Sequence, residues 1–200
     1  IDGAMFALEM DWLIRNYPDV KKINVRINSP GGSVIDGFSI FSSINNVNQN
    51  TKGVTVDTYN DGIAASTAGW LLLAGKNIYM ADFGMLMLHK PSFDSQEEMS
   101  KKDKDILQMF NNSIVTIFEA KTGLSRDEIN AMMEEETWMD ASTALEKGFV
   151  NKIISSGKQV EKPKEATLAN YWNAFKNKLS MPKNTVINIQ PVMSEPTTQP

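Results

Sequence analysis

Apolar and polar positions along most of the chain follow two periods, one typical of strands and one typical of helices. Residues 23–28 alternate strictly and predict a strand, whereas residues 34–47 carry large apolar side chains at threefold spacing and predict a helix. The repeated strand–helix order predicts an α/β layer fold with parallel strands. The remaining predicted elements are helices at 5–16, 65–74, 96–121, after Ser125 and after Asp140, strands at 53–59, 77–80 and 85–88, and a turn at 60–62.

The composition of the chain changes near Ser155 and divides it into three regions. Residues 1–155 carry the strand and helix patterns and predict one folded domain. Residues 156–180 predict a helical extension, because 168–179 has amphipathic spacing. Residues 181–200 hold four prolines beside Thr, Asn and Gln, which predicts a flexible tail or linker. The chain opens at Ile1 without a methionine, so we expect a further N-terminal segment to precede it.

Composition excludes several kinds of site. The chain of 200 residues has 20 Lys and Arg against 24 Asp and Glu, a net charge of −4 that argues against a nucleic-acid binder. No cysteine is present, which excludes disulfides, thiolate zinc sites and a cysteine nucleophile, and a single histidine argues against a histidine-built metal site. We therefore expect no metal and no cofactor. The longest apolar run, 63–74, is too short for a membrane span, and we expect a soluble cytoplasmic protein.

A breaker cluster at Ser29–Ser33 lies between a predicted strand and a predicted helix. Its two glycines let the backbone adopt unusual angles and approach a ligand closely. Backbone N–H groups at such a turn can stabilise an oxyanion. A tight turn without chemistry explains the same residues, so this motif alone does not decide between the two interpretations.

Ser66 lies within Gly62–Gly69, a run of small residues at a strand-to-helix junction. A serine at the start of a helix gains support for developing negative charge, and small neighbours leave room for a substrate backbone. This is the logic of a nucleophile elbow, although the G-x-S-x-G pattern is absent. The alternative is a serine that caps a closely packed Ala/Gly helix.

His89 ends an apolar strand and carries the chain's single imidazole. It is the imidazole that could deprotonate a serine, although a histidine in such a place can also be purely structural. Lys90 is a rival base. Because adjacent residues of a strand point to opposite faces, only one of the two can serve.

These motifs occur together in one order. Taken with Trp138–Ala141 and Ala144–Val150, the segments Ile27–Gly32, Ala64–Ser66 and Met87–Pro91 resemble the Clp protease proteolytic subunit family, over about residues 20 to 155. The variant resembles its phage and prophage branch, whose members often act as head maturation proteases. The resemblance implies a crotonase-like α/β spiral of βαβ units with a projecting "handle" helix, which matches residues 96–121.

The resemblance also implies catalytic roles. Ser66 matches the nucleophile, His89 the general base, and the backbone N–H groups of Gly32 and Thr67 the oxyanion hole. Counting back from Trp138 places Glu136 at the third triad position, where many family members carry Asp. Glu135 competes with Glu136 for that position, and a solvated charge run at a helix end is the alternative to both.

The partners implied are protein or peptide substrates and copies of the chain in a heptameric ring, single or stacked. The chain lacks a Walker A motif, so unfolding would require a separate AAA+ ATPase, or would not be needed by a protease that matures phage capsid and scaffold proteins. Three alternatives stay open: a crotonase-fold acyl-CoA enzyme, a non-catalytic ring or scaffold component, and a Ser–Lys dyad that uses Lys90.

Overall fold

A computed structural model describes residues 1–93 and 98–156, together with the backbone of residues 188–189. The predicted elements occur in the predicted order, and the strands at 137–140, 152–154 and 188–189 are additional. A short 3₁₀ helix, Leu72–Ala74, extends the third α-helix. In chain order the helices and strands are α1 (Gly3–Asn16), β1 (Lys22–Ser29), α2 (Val34–Asn50), β2 (Thr55–Ala65), α3 (Thr67–Leu71), β3 (Ile78–Ala81), β4 (Met85–Leu88), α4 (Lys101–Thr122), α5 (Arg126–Glu134), β5 (Thr137–Asp140), α6 (Ala141–Glu146), β6 (Lys152–Ile154) and β7 (Asn188–Ile189).

The sheet is organised around β2, which confirms the predicted α/β class with mostly parallel strands. β1, β3 and β4 all pair with β2 in parallel, β6 pairs with β3 in parallel, and β5 is antiparallel to β4. β3 pairs with the middle of β2 at 58–60, whereas β4 pairs with its end at 63–65. The sheet therefore curls at β2 and divides there into two branches.

The turn predicted at residues 60–62 is wrong, because β2 runs through them to Ala65. Ile27 pairs with Asn60 but Ser29 pairs with Ala64, so the extra residues of β2 are absorbed as a bulge. The side chain of Asn28 supports the bulge by accepting a hydrogen bond from the Ile63 N–H at 3.1 Å. The sequence Asn-Asp-Gly suits a bulge as well as a turn. Here β2 pairs with β3 before the bulge and with β4 after it.

Helical spacing in α1 places Met5, Leu8, Trp12 and Leu13 on one predicted stripe, but of these four only Leu13 is buried. Phe6, Met10 and Leu13 lie in the core, packed toward α2, while three other apolar side chains of α1 face solvent. Those three side chains are Met5, Leu8 and Trp12, which are 53%, 64% and 56% exposed. An apolar surface therefore remains on α1 within the described part of the chain.

α4 matches the expected long helix, but it begins at Lys101 rather than at residue 96. Ser100 starts it with a capping box: its hydroxyl accepts from the Asp103 N–H, and the Asp103 carboxylate accepts from the Ser100 N–H. Burial begins only at Asn111, so the first half of α4 runs along the surface. Gly123, at φ 77°, ends the helix in the left-handed conformation.

The C-terminal predictions lie largely outside the described residues. This applies to the helix predicted at 168–179 and to the tail at 181–200, of which only the two residues of β7 are described. β7 pairs in parallel with β1, with Asn24 opposite Asn188. Among the described helices, none has both the length and the apolar character that crossing a membrane requires.

Candidate active site

Ser66 occupies a strained turn between the end of β2 and the start of α3. Its φ of 55° and ψ of −124° are unusual for a residue with a side chain. Two backbone hydrogen bonds hold the turn: the Ser66 N–H donates to the Met87 carbonyl at 3.1 Å, and the Gly69 N–H donates to the Ser66 carbonyl at 2.9 Å. The Ser66 hydroxyl makes no capping bond to the helix. The turn therefore presents the hydroxyl instead of using it as a cap.

His89 is the partner of that hydroxyl. Its Nε2 lies 2.6 Å from Ser66 Oγ, within hydrogen-bonding distance. The pairing of Ala65 with Met87 places the end of β2 beside β4, so that His89, two residues further on, reaches Ser66. Strand register thus brings together two residues that are 23 positions apart in the sequence.

Lys90 does not share this position. Its ammonium forms an ion pair with Glu134, and its backbone N–H donates to the Met133 carbonyl at 3.1 Å. Of the two candidate bases, the structure joins His89 to Ser66 and directs Lys90 to α5.

The loop between β1 and α2 packs directly against Ser66. Gly31 and Gly32 have φ values of 110° and 147°, a region that favours glycine. A Cβ added to Gly31 would lie 2.6 Å from Ser66 Cβ, so even alanine does not fit there. The Thr67 hydroxyl donates to the Gly32 carbonyl at 2.8 Å and ties the loop to α3.

The backbone N–H groups of Gly32 and Thr67 are available at this junction. Neither donates a hydrogen bond to any of the residues that the structure describes. Both belong to segments that contact each other beside Ser66. Two free donors next to a nucleophilic oxygen are what an oxyanion hole requires.

Glu136 lies opposite His89 along the backbone, but its carboxylate turns elsewhere. β5 is antiparallel to β4 with Thr137 opposite Leu88, so the register continued by one residue sets Glu136 across from His89. Glu136 has a φ of 50°, and its Oε1 accepts from the Trp138 indole N–H at 3.2 Å. Within the described residues no hydrogen bond joins Glu136 to His89.

The two neighbouring glutamates have other positions. Glu134 pairs with Lys90, as described above. Glu135 is exposed and closes α5, where its N–H donates to the Ala131 carbonyl at 3.1 Å. The structure thus brings Ser66, His89 and the Gly31–Gly32 loop together, and leaves the carboxylates of residues 134–136 at the surface.

Comparison with known proteins identifies the family of the chain. The family model of the Clp protease matches residues 11–157, a stretch that includes Ser66, His89 and Glu136. The chain belongs to the Clp protease family. The described fold, with its curled sheet and flanking helices, is consistent with that membership.

Two curated relatives extend the comparison. The chain is 29% identical over 144 residues to the ATP-dependent Clp protease proteolytic subunit of Porphyromonas gingivalis, an alignment that covers 70% of this chain and 62% of that protein. It is 30% identical over 156 residues to the ATP-dependent Clp protease proteolytic subunit 1 of Protochlamydia amoebophila, covering 75% and 73% respectively. This Clp protease family member thus spans less than two thirds of the first relative.

Three features of the site were not found from the sequence. The Met87 carbonyl anchors the Ser66 turn, Gly31 contacts Ser66 directly, and Trp138 holds the Glu136 carboxylate. For the contact of Gly31 with Ser66, the Pro-Gly-Gly motif is a signal of close backbone approach. Strand register determines the contact of the Met87 carbonyl, and a side-chain rotamer determines the bond between Trp138 and Glu136. Neither leaves a signal in the sequence.

Proposed function

We propose that this Clp protease family member is a serine endopeptidase that hydrolyses peptide bonds in proteins. The observation that carries the proposal is the 2.6 Å contact between His89 Nε2 and Ser66 Oγ at a strained strand-to-helix turn. An imidazole at that distance can accept the hydroxyl proton as the oxygen attacks a carbonyl carbon. The names of the two curated relatives, both proteolytic subunits, support the same reaction.

The proposed reaction has two steps. Ser66 Oγ attacks the scissile carbonyl while His89 takes its proton, and the resulting oxyanion accepts hydrogen bonds from the Gly32 and Thr67 N–H groups. The C–N bond then breaks as His89 gives its proton to the leaving amine, which leaves an ester on Ser66. Water, deprotonated by His89, hydrolyses this ester and restores the serine.

We assign the third triad role to Glu136 rather than Glu135. The extended β4–β5 register places Glu136 opposite His89, whereas Glu135 belongs to the end of α5. To reach His89 Nδ1, the Glu136 carboxylate must leave the Trp138 indole by a change of rotamer. A carboxylate there would hold the imidazole in the required tautomer and stabilise its cation.

The serine–imidazole contact also favours a peptidase over the other readings of the fold. An acyl-CoA enzyme of the crotonase type would use two backbone N–H groups at an oxyanion but needs no serine nucleophile. A purely structural ring component needs neither an activated serine nor free N–H groups beside it. Ser66 is both strained and bonded to His89, which suits nucleophilic catalysis.

We further propose that copies of the chain assemble into a ring, heptameric in single or stacked form. The exposed apolar side chains Met5, Leu8 and Trp12 on α1 supply a surface that a second copy would cover. A separate AAA+ ATPase would deliver folded substrates to such a ring, whereas a phage maturation protease would cut capsid and scaffold proteins without one. Mass photometry of the purified protein, and of Trp12→Glu, measures the assembly directly.

Hydrolysis of a fluorescein-labelled unfolded protein, such as casein, tests the proposed activity. We expect the wild-type chain to release fluorescent peptides and Ser66→Ala to release none. Ser42→Ala, a change at an exposed serine of α2, is the matched control and should retain full activity. Equal hydrolysis by Ser66→Ala, or no hydrolysis by the wild type in any assembled state, would contradict the proposal.

A further inference from the structure

Asn60 lies in the core at the point where β2 leaves one neighbouring strand and meets another. It pairs with Met80 of β3, and the first pair between β2 and β4 joins Ile63 to Met85. The bulge of β2 lies just after Asn60. Asn60 is only 1% exposed, and no step of the proposed reaction uses it. A buried polar side chain needs hydrogen-bond partners, and here the partners show which segments it holds together.

The Asn60 amide joins the bulge to the first residue of β4. Its Nδ2 donates to the Met85 carbonyl at 2.9 Å, and its Oδ1 accepts from the Gly62 N–H at 3.1 Å. Because a carbonyl only accepts and a backbone N–H only donates, this orientation of the amide is the one that satisfies both partners. An aliphatic side chain of the same size could make neither bond.

Two other side-chain contacts hold the bulge, but both connect it to β1. Asp61 forms an ion pair with Arg26, and the Ile63 N–H donates to Asn28 Oδ1 at 3.1 Å. The amide of Asn60 differs from both because it reaches β4. Neither of the other two contacts could therefore replace it.

β4 needs such a contact because its own sequence defines its register weakly. The strand is four residues long, Met-Leu-Met-Leu, and Leu and Met replace each other in a core at little cost. A shift of two residues along β2 would keep the same alternation of faces, because side chains repeat with a period of two. Such a shift would move His89 about 6–7 Å relative to Ser66, since each strand residue advances about 3.3 Å. The hydrogen bond from Asn60 opposes it.

We propose that Asn60 is a positioning residue for the proposed peptidase reaction. By holding Met85 it fixes β4 against β2, and two residues further on the Met87 carbonyl accepts from the Ser66 N–H at 3.1 Å. His89 follows after two more residues and meets Ser66 Oγ at 2.6 Å. Asn60 is buried, so it acts through β4 and not by contact with the substrate. This inference rests on the proposed function and adds to it a residue that sets the Ser66–His89 distance.

The rate and the extent of Ser66 labelling by a fluorophosphonate separate positioning from stability. Asn60→Ala removes both hydrogen bonds, and Asn60→Thr is a milder change whose hydroxyl is one bond shorter than the amide. We expect complete labelling of either folded variant at a rate lower by roughly 10- to 100-fold, since a misplacement of about 1 Å can cost about 100-fold. For a peptide substrate, kcat should fall by the same factor with KM unchanged. A purely structural role would instead leave the wild-type rate on a smaller reactive fraction.

Asn48→Ala is the matched control, because the Asn48 amide also ties β2 to its surroundings but at the end away from Ser66. Its Oδ1 accepts from the Val56 N–H at 2.7 Å, and its Nδ2 donates to the Ala74 carbonyl at 3.3 Å. The control and the Asn60 variants should all unfold at lower urea concentration than the wild type, because each leaves buried backbone groups unpaired. Only the Asn60 variants should react slowly.

The inference is overturned if a folded Asn60 variant reacts at the wild-type rate, or if Asn48→Ala is slowed equally. It is also overturned if neither Asn60 variant folds, because the residue would then serve folding alone. In each of these cases, wild-type labelling that depends on Ser66 would show that the proposed function stands and only the positioning role is wrong. A wild-type protein that neither reacts at Ser66 nor hydrolyses any substrate would overturn both.

Discussion

The two sides of β4 differ in how they hold their candidate catalytic groups: β4 pairs with β2 at the serine end of the site and with β5 at the glutamate end. At the serine end, Ala64, Ala65 and Leu88 are almost fully buried, and paired backbone strands set the distance from Ser66 to His89. At the glutamate end, Trp138 is 49% exposed and the Glu136 carboxylate rests on its indole. The positions of Ser66 and His89 are thus fixed by buried backbone, whereas the position of the Glu136 carboxylate depends on one exposed rotamer.

This difference leads to an expectation about each end. Changes at the serine end act on a packed and strained turn, so they should remove activity almost completely. Changes at the glutamate end act on a side chain that can rotate, so they should reduce activity by smaller factors.

Replacing His89 should have the largest effect. His89→Gln removes the proposed base for the Ser66 proton, and positioned proton transfer contributes about 10²–10⁴-fold to a rate. We expect kcat/KM for a peptide substrate to fall by a factor in this range. Lys90→Gln, next in sequence, should keep most of the activity, because Lys90 pairs with Glu134. Loss of activity in Lys90→Gln with retention in His89→Gln would instead identify a Ser–Lys dyad.

Gly31→Ala should also disable the serine end, by roughly 10²-fold in kcat, the cost of a misplacement of about 1 Å. The new Cβ would meet Ser66 Cβ at 2.6 Å, and the residue would keep a strained φ of 110°. Gly53→Ala is the matched control, since its φ of 81° is strained too but its Cβ meets nothing within 4 Å. Both variants should lose thermal stability, and only Gly31→Ala should lose activity. Equal activity in the two would show that the contact with Ser66 is unimportant.

At the glutamate end, Glu136→Gln should lower kcat about tenfold and Glu135→Gln should leave it unchanged. The expected loss comes from a less well oriented His89 imidazole. It is far below the roughly 10⁴-fold loss for a carboxylate that is bonded to its histidine, because the Glu136 carboxylate rests on the Trp138 indole. Trp138→Phe removes the indole N–H that binds Glu136 and should preserve activity. Steady-state kinetics of the three variants separate the possibilities. The reverse order for the two glutamate variants would assign the third role to Glu135.

The smallest effect concerns the segment that follows Glu136. The pKa of Asp140 is lowered from its usual 3.8, chiefly because its carboxylate accepts from the Thr143 N–H at the start of α6. A carboxyl whose pKa is lower in the folded state stabilises the fold above its unfolded pKa, and this stabilisation is lost as pH falls through the folded pKa. Asp140→Asn keeps a capping side chain but removes that charge.

Urea unfolding at about pH 6 and about pH 3 measures how much the Asp140 charge contributes to the free energy of unfolding at each pH. The wild-type protein should be more stable than Asp140→Asn at the higher pH, and the difference should shrink at the lower one. An identical difference at both pH values would mean that the Asp140 charge does not contribute. Peptidase activity at neutral pH should be the same in both proteins, because Asp140 lies outside the site.

The order of helices and strands could be predicted from the sequence because it depends on local periodicity. Ile23–Ile27 alternates and is a strand; residues 34–47 form the predicted helix, although Ile35, one of the apolar residues at threefold spacing, is 69% exposed. Predictions from local sequence failed where the same residue types suit two different local structures. Residues 60–62 belong to a bulged strand and not to a turn, and residues 98–100 precede α4 because Ser100 and Asp103 form its capping box.

The candidate site likewise has a part that the sequence predicts and a part that it does not. Ser66 and His89 were singled out by residue type and position, and their contact follows from strand register. The rotamer of Glu136 could not be predicted, because an exposed carboxylate has several partners of similar energy within reach. The packing of Gly31 on Ser66 likewise depends on two loops that are distant in sequence.

Labelling with a fluorophosphonate tests the central claim most directly, because the reagent reacts with activated serines without needing the right substrate. The protein, separated by size into its assembly states, is treated and the adduct is located by peptide mass spectrometry, with Ser66→Ala as control. We predict one adduct on Ser66, absent from Ser66→Ala and strongly reduced in His89→Gln. Labelling that persists in Ser66→Ala, or no adduct on Ser66 in any assembly state, would contradict the assignment of Ser66 as nucleophile.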